Sequence, residues 1–116
     1  MKAELRSYNQ SPRKVRLVTE LVKGKSVAQA LLALSFLPKR ASLPVKKLIE
    51  SAVANAKAKE GLTAEDAAKL KIKNIIVDSD SMTVRYMPRA QGRATPIRRR
   101  KSRVAITLAQ PKATAA

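Results

Sequence analysis

MTVRYMPRAQGRATPIRRRKSRV, residues 82–104, is the stretch on which the reading of the fold turns. It carries Arg85, Arg89, Arg93, Arg98, Arg99, Arg100, Lys101 and Arg103, and it holds no Asp or Glu. Its apolar side chains are spread out, so it cannot bury enough surface to offset the entropy of ordering itself. Strand-like segments stand on both sides of it. Upstream, KIKNIIVDSD is rich in β-branched residues and ends in turn formers, which predicts a strand over 72–78. Downstream, VAITLA alternates Val104, Ile106 and Leu108 against Ala105, Thr107 and Ala109, which predicts a second strand closed by Pro111. The midpoint between Asp78 and Val104 falls on Gln91, beside Gly92, where a tight reversal favours glycine. The expectation is a long basic hairpin over 80–103 that becomes ordered on nucleic acid. Each arm of about twelve residues reaches roughly 40 Å at a rise of ~3.3 Å per residue.

The bland alternative is a surface loop whose charge only solubilises. Loops this long in compact domains are usually either functional or disordered linkers. Arginine rather than lysine dominates here, and arginine pairs bidentately with phosphate and stacks on bases, which solubility alone does not require. The nucleic-acid arm is therefore the preferred reading.

The remaining chain reads as a small body. Residues 2–8 alternate loosely, with Ala3 and Leu5 on one side, as a half-buried strand does. SPRKVRLVTELVKGK predicts a helix with Ser11 as N-cap, Pro12 at its first position and Gly24 as its stop. Val15, Val18 and Val22, with Leu21 beside them, share its apolar face. Arg13, Lys14 and Arg16 crowd the first turn, where the helix dipole favours anions, so an external phosphate is the expected counter-charge. Ser26 and Gln29 have capping-box spacing ahead of a second helix that is apolar on most sides and expected to be largely buried. From Ser42 and Pro44, the residues Val45, Leu48, Ile49, Ala52, Val53 and Ala56 recur at spacings of three and four up to Gly61. Lys39, Arg40, Lys46, Lys47, Lys57 and Lys59 around this third helix read mostly as ordinary surface cations. Asn55 on the same helix is either a surface residue or a polar contact to a partner. Residues 63–70 offer a cap and about two helical turns as a connector. Together these predict an α+β fold: three helices packed on a small antiparallel three-stranded sheet, with a long β-hairpin extension. One domain is expected, with its globular part over 1–79 and 104–110 and a disordered tail over 111–116.

Composition narrows the function. The 116 residues include 25 Lys and Arg against 8 Asp and Glu, a formal charge of +17, which implies a polyanionic partner. There is no His and no Cys, so the commonest general base, the commonest metal ligand and any thiolate site are missing from the sequence. The acids are scattered, with no nucleophile–base pair or glycine-rich phosphate loop, so no enzyme, cofactor or metal is expected. Asp78 and Asp80 are better read as strand-ending residues than as metal ligands. No apolar run approaches the roughly 20 residues that span a bilayer, and no basic helix with bulky anchors suits a membrane surface. A free-standing nucleic-acid chaperone or a helix-turn-helix regulator stays open on composition, although the basic residues gather on the insertion and not on a recognition helix.

SPRKVRLVTELVKGKSVAQALLAL, LIESAVANA and VDSDSMTVRYMPRAQGRATPIRRR, at matching relative positions, resemble the family of the bacterial large-subunit ribosomal protein twenty-two. The resemblance covers roughly residues 5–108. It implies a structural constituent of the large ribosomal subunit that binds large-subunit ribosomal RNA, supports assembly and contacts neighbouring ribosomal proteins. It also implies that the hairpin tip lines the nascent-peptide exit tunnel. By motif, the tip is Arg89, Ala90, Gln91, Gly92, Arg93 and Ala94, where a nascent peptide passes. Arg85, Arg98, Arg99, Arg100, Lys101 and Arg103 line the arms against RNA, and Ser11, Arg13, Lys14 and Arg16 match a further RNA-facing segment. The implied setting is a cytoplasmic ribosome of bacterial type, with an organellar ribosome left open, and no homo-oligomer. Where relatives commonly have Thr-Ser-His entering the last strand, this chain has Lys101-Ser102-Arg103.

Overall fold

A computed structural model describes residues 2–110. In chain order the elements are β1 (Lys2–Tyr8), α1 (Pro12–Val22), α2 (Val27–Phe36), α3 (Ser42–Glu60), α4 (Ala64–Lys69), β2 (Lys71–Ser79), β3 (Thr83–Pro88), β4 (Ala94–Arg99) and β5 (Ser102–Ala109). The last strand is the middle one: β5 pairs antiparallel with β1 on one side and β2 on the other. β3 and β4 form a separate antiparallel ribbon. This is the α+β arrangement expected, with the connector over 63–70 realised as the short fourth helix α4. Thr63 caps α4, its Oγ1 accepting the Asp66 N–H at 3.3 Å. The tail expected to be disordered lies outside the described residues.

One aliphatic core joins the two layers. Val15, Val18 and Val22 of α1 and Val45, Leu48, Ile49, Ala52 and Ala56 of α3 meet Ile72, Ile75 and Val77 of β2 and Val104, Ile106 and Leu108 of β5. Ala52 and Ala56 are fully buried, and their small side chains let α3 lie close over β1 and β5. Ile72 and Ile75 both point inward although they are three apart, because a bulge between Ile72 and Asn74 shifts the register against β5. Asn55, exposed on α3, donates from Nδ2 to the Lys2 carbonyl at 3.1 Å and ties α3 to β1.

Two expectations about the helices change. Leu21 is 49% exposed and Thr19 takes the inward position, 4% exposed, its Oγ1 donating to the Arg16 carbonyl. α2 is not largely buried: Val27, Ala30 and Leu34 face the core, while Leu32 and Phe36 are 62% and 80% exposed. α2 lies in an outer layer against α3, and an outer helix has only one stripe to bury.

The α1–α2 turn belongs to the sheet. Gly24 N–H donates to the Ile72 carbonyl at 3.2 Å, Ile72 N–H to Lys25 at 3.0 Å and Val27 N–H to Leu70 at 2.8 Å. These bonds satisfy part of the outer edge of β2, which would otherwise offer unpaired donors and acceptors.

Candidate nucleic-acid interface

The arm is a continuation of the β2–β5 pair across a joint. Ser79 pairs with Ser102, Asp80 N–H donates to the Lys101 carbonyl at 2.9 Å, and the ladder resumes at Thr83 opposite Arg99. Three residues on the outgoing side face two on the returning side, so the joint is a bulge-like break that lets the ribbon take its own direction. Asp80 fixes that joint. Its Oδ1 accepts the Ser81 N–H at 2.8 Å, and its Oδ2 accepts the Ser7 N–H at 2.7 Å. Ser7 itself has φ 53°, inside a bulge where β1 slips against β5. The N–H groups of Ser81 and Ser7 hold the Asp80 carboxyl below the usual carboxylate range. Asp80 is therefore a structural clasp, and among the described residues there is no group of acids that could hold a metal ion.

Beyond the joint, register fixes the two faces of the ribbon. Thr83, Arg85 and Met87 share one face with Arg99, Ile97 and Thr95; Val84, Tyr86 and Pro88 share the other with Arg98, Pro96 and Ala94. The chain reverses in a single 3-10 turn, Ala90–Gly92, with Arg89 N–H donating to the Arg93 carbonyl at 2.6 Å. Gly92 adopts φ 71°, as the reversal requires, and Gln91 shares the left-handed region at φ 61°. Arg89, Ala90, Gln91, Gly92, Arg93 and Ala94 are all exposed at the far end of the molecule.

At the near end, a cleft of about 810 Å³ opens between the root of the ribbon and the body. It is lined by Asn9, Gln10, Ser11, Lys14 and Arg40 from the body and by Thr83, Arg85, Arg98, Arg99, Arg100 and Lys101 from the arm. Seven of these side chains are cationic and none is acidic. The start of α1 contributes its N-terminal dipole: Ser11 takes the N-cap backbone position without a side-chain cap bond, and the first turn has no acid. Cations around a concave notch at a helix N-terminus, with no acid in the lining, form a ready anion site.

The sequence-predicted residues thus separate into groups. Ser11, Lys14, Arg85, Arg98, Arg99, Arg100 and Lys101 meet at the cleft. Arg89 and Arg93 stand apart at the tip, and Arg13 is exposed on α1 outside the cleft lining. Arg16 is engaged within the protein, its Nη2 and Nε donating to the Val77 carbonyl at 2.8 and 3.2 Å on the edge of β2. Arg103 hydrogen-bonds through Nε to Glu4, which also accepts from Arg6 at 3.2 Å. That pairing holds Glu4 below, and Arg103 above, its ordinary pKa. Arg40 reads in the sequence as one more surface cation; the fold brings it into the cleft from the α2–α3 turn, and nothing local in the sequence announces that approach.

Residues 3–109 match the profile of the family described as Ribosomal protein L22p/L17e. Among curated proteins, the chain is 47% identical over 110 residues to the large ribosomal subunit protein uL22 of Pelobacter propionicus, covering 95% of this chain and 96% of that one. It is 46% identical over 110 residues to the uL22 of Myxococcus xanthus, with the same coverage. It is 47% identical over 107 residues to that of Syntrophotalea carbinolica, covering 92% and 94%. A profile match over nearly the whole described chain and relatives at this identity carry one conclusion: the chain belongs to the ribosomal protein L22p/L17e family.

Proposed function

We propose that this chain is a structural constituent of the large ribosomal subunit in the bacterial cytoplasm, that it binds large-subunit ribosomal RNA and that it supports assembly. The observation that carries the reading is the cationic cleft, with no acid in its lining, at the root of an arm whose residues 82–103 hold no acid. Ser11, Lys14, Arg85, Arg98, Arg99, Arg100 and Lys101 take RNA phosphates in and beside the cleft, joined by Arg13 on α1. Arg16 and Arg103 use donors not spent on Val77 and Glu4, since a guanidinium has five N–H groups. The mechanism is phosphate neutralisation with release of counterions, so affinity falls steeply with salt. Family membership supports a structural role; the chain is not an enzyme.

At the far end, Arg89, Ala90, Gln91, Gly92, Arg93 and Ala94 line the exit tunnel where the nascent peptide passes. The exposed tip at the end of a long ribbon supports this part of the reading, since it reaches well away from the body. Sucrose-gradient sedimentation of a tagged copy tests the subunit assignment: the protein is expected in the large-subunit fraction, and recovery mainly as free protein overturns it. Replacing residues 89–94 by an Asn-Gly turn, which suits a two-residue hairpin, is expected to leave large-subunit yield near the parent's while changing nascent-chain stalling. Stalling identical to the parent's would remove the tunnel role.

A further inference from the structure

The ribbon has one face that phosphate chemistry does not explain. Val84, Tyr86 and Pro88 lie there with Ala94 and Pro96, and the only charge among them is Arg98. Tyr86 is 72% exposed and Val84 43% exposed, on a two-stranded ribbon with no layer behind it. Tyr86 is the one aromatic residue between Met82 and Val104. Opposite it stands Pro96, and the register puts Arg98 on the adjacent diagonal, which in an antiparallel pair lies roughly 7–8 Å away. An apolar platform of this kind needs cover in the assembled state. The arm around it is acid-free and strongly cationic, so the cover is a polyanion. The part of a nucleic acid that matches an aromatic ring is the face of a base, which is available when the nucleotide is unpaired.

We propose that Tyr86 and Arg98 together form a site for one unpaired RNA nucleotide, the base stacking on the Tyr86 ring and a phosphate meeting the Arg98 guanidinium. The opposite face, with Arg85 and Arg99, carries Met87 and Ile97 but no aromatic ring. This rests on the reading that the arm binds large-subunit RNA, and it adds that one contact reads an unstacked base instead of a continuous helix. The hydroxyl of Tyr86 is not required, so phenylalanine serves as well as tyrosine.

The test compares the full-length chain with Tyr86→Phe, Tyr86→Leu and Arg98→Ala for binding to a transcript of large-subunit ribosomal RNA, titrated at several salt concentrations. Tyr86→Phe is expected to bind within about twofold of the parent. Tyr86→Leu is expected to weaken binding roughly 5- to 150-fold, the range for one base–aromatic stack, with an unchanged salt slope because every phosphate keeps its cation. Arg98→Ala is expected to make the log–log salt slope shallower by ~0.7 to ~0.9, one phosphate. Tyr86→Leu binding as tightly as the parent overturns the proposal. Unchanged RNA affinity with reduced incorporation into large subunits overturns it too, and assigns the ring to a protein neighbour. A parent chain that fails to bind the transcript contradicts the broader RNA-binding reading, a result distinct from either of these.

Discussion

At the base of the arm, a single carboxylate connects two distant parts of the chain. Asp80 accepts from its neighbour Ser81 and from Ser7, 73 positions away, and so ties the β1 bulge to the joint where the ribbon leaves the sheet. Those N–H donors lower its pKa, so the carboxylate contributes stability that is fully present above the ordinary carboxyl value and lost as pH falls through the lowered folded value. Asp80→Asn is therefore expected to melt below the parent at pH 7, with the gap closing in acid below about pH 4 as the parent's carboxyl takes up its proton. Thermal melts at both pH values check this; a gap independent of pH would mean that the charge of Asp80 is irrelevant. In the sequence Asp80 is legible only as a turn former. Its distant partner is invisible there, because periodicity reports neighbours along an element and not contacts across the fold. The same limit hides the contact that Arg103 makes with Glu4, 99 positions away.

Elements with strong local signals are legible, and those defined by layering are not. α3 is recoverable because Val45, Leu48, Ile49, Ala52 and Ala56 repeat over a helix that ends at Gly61 in the left-handed conformation. α2 misleads because apolar residues all round imply burial, whereas its depth is set by the number of layers above it. In the arm, charge is legible in the sequence, whereas register, which assigns the faces, is supplied only by the structure. Because the arm packs on no core, replacing Arg98, Arg99 and Arg100 with Ala is expected to cut RNA affinity and make its salt dependence shallower. The log–log slope should fall by ~0.7 to ~0.9 for each phosphate that no longer meets a cation. The melting temperature of the free protein should stay within a few degrees of the parent's. Large thermal destabilisation with normal RNA binding would reverse the assignment of the arm.

Taken whole, the protein is a body with a projection: its principal extents are 71 × 26 × 22 Å, and its radius of gyration is 17.8 Å. A compact chain of this length would have a radius near 13 Å. A net charge of +17 on such a shape repels itself, and the ribbon has no core to hold it, so the assembled state must supply the counter-surface. On the proposed reading, the body anchors, the cleft grips RNA at the root, and the ribbon carries cationic and aromatic groups outward. Ultraviolet crosslinking of intact large subunits, with crosslinked peptides identified by mass spectrometry, tests this division of labour directly. The account predicts RNA crosslinks on peptides from both strands of the ribbon and from the Ser11–Lys14 turn that faces them across the cleft. Crosslinks confined to the outer surfaces of α2 and α4, with the ribbon and cleft free of RNA, would contradict it.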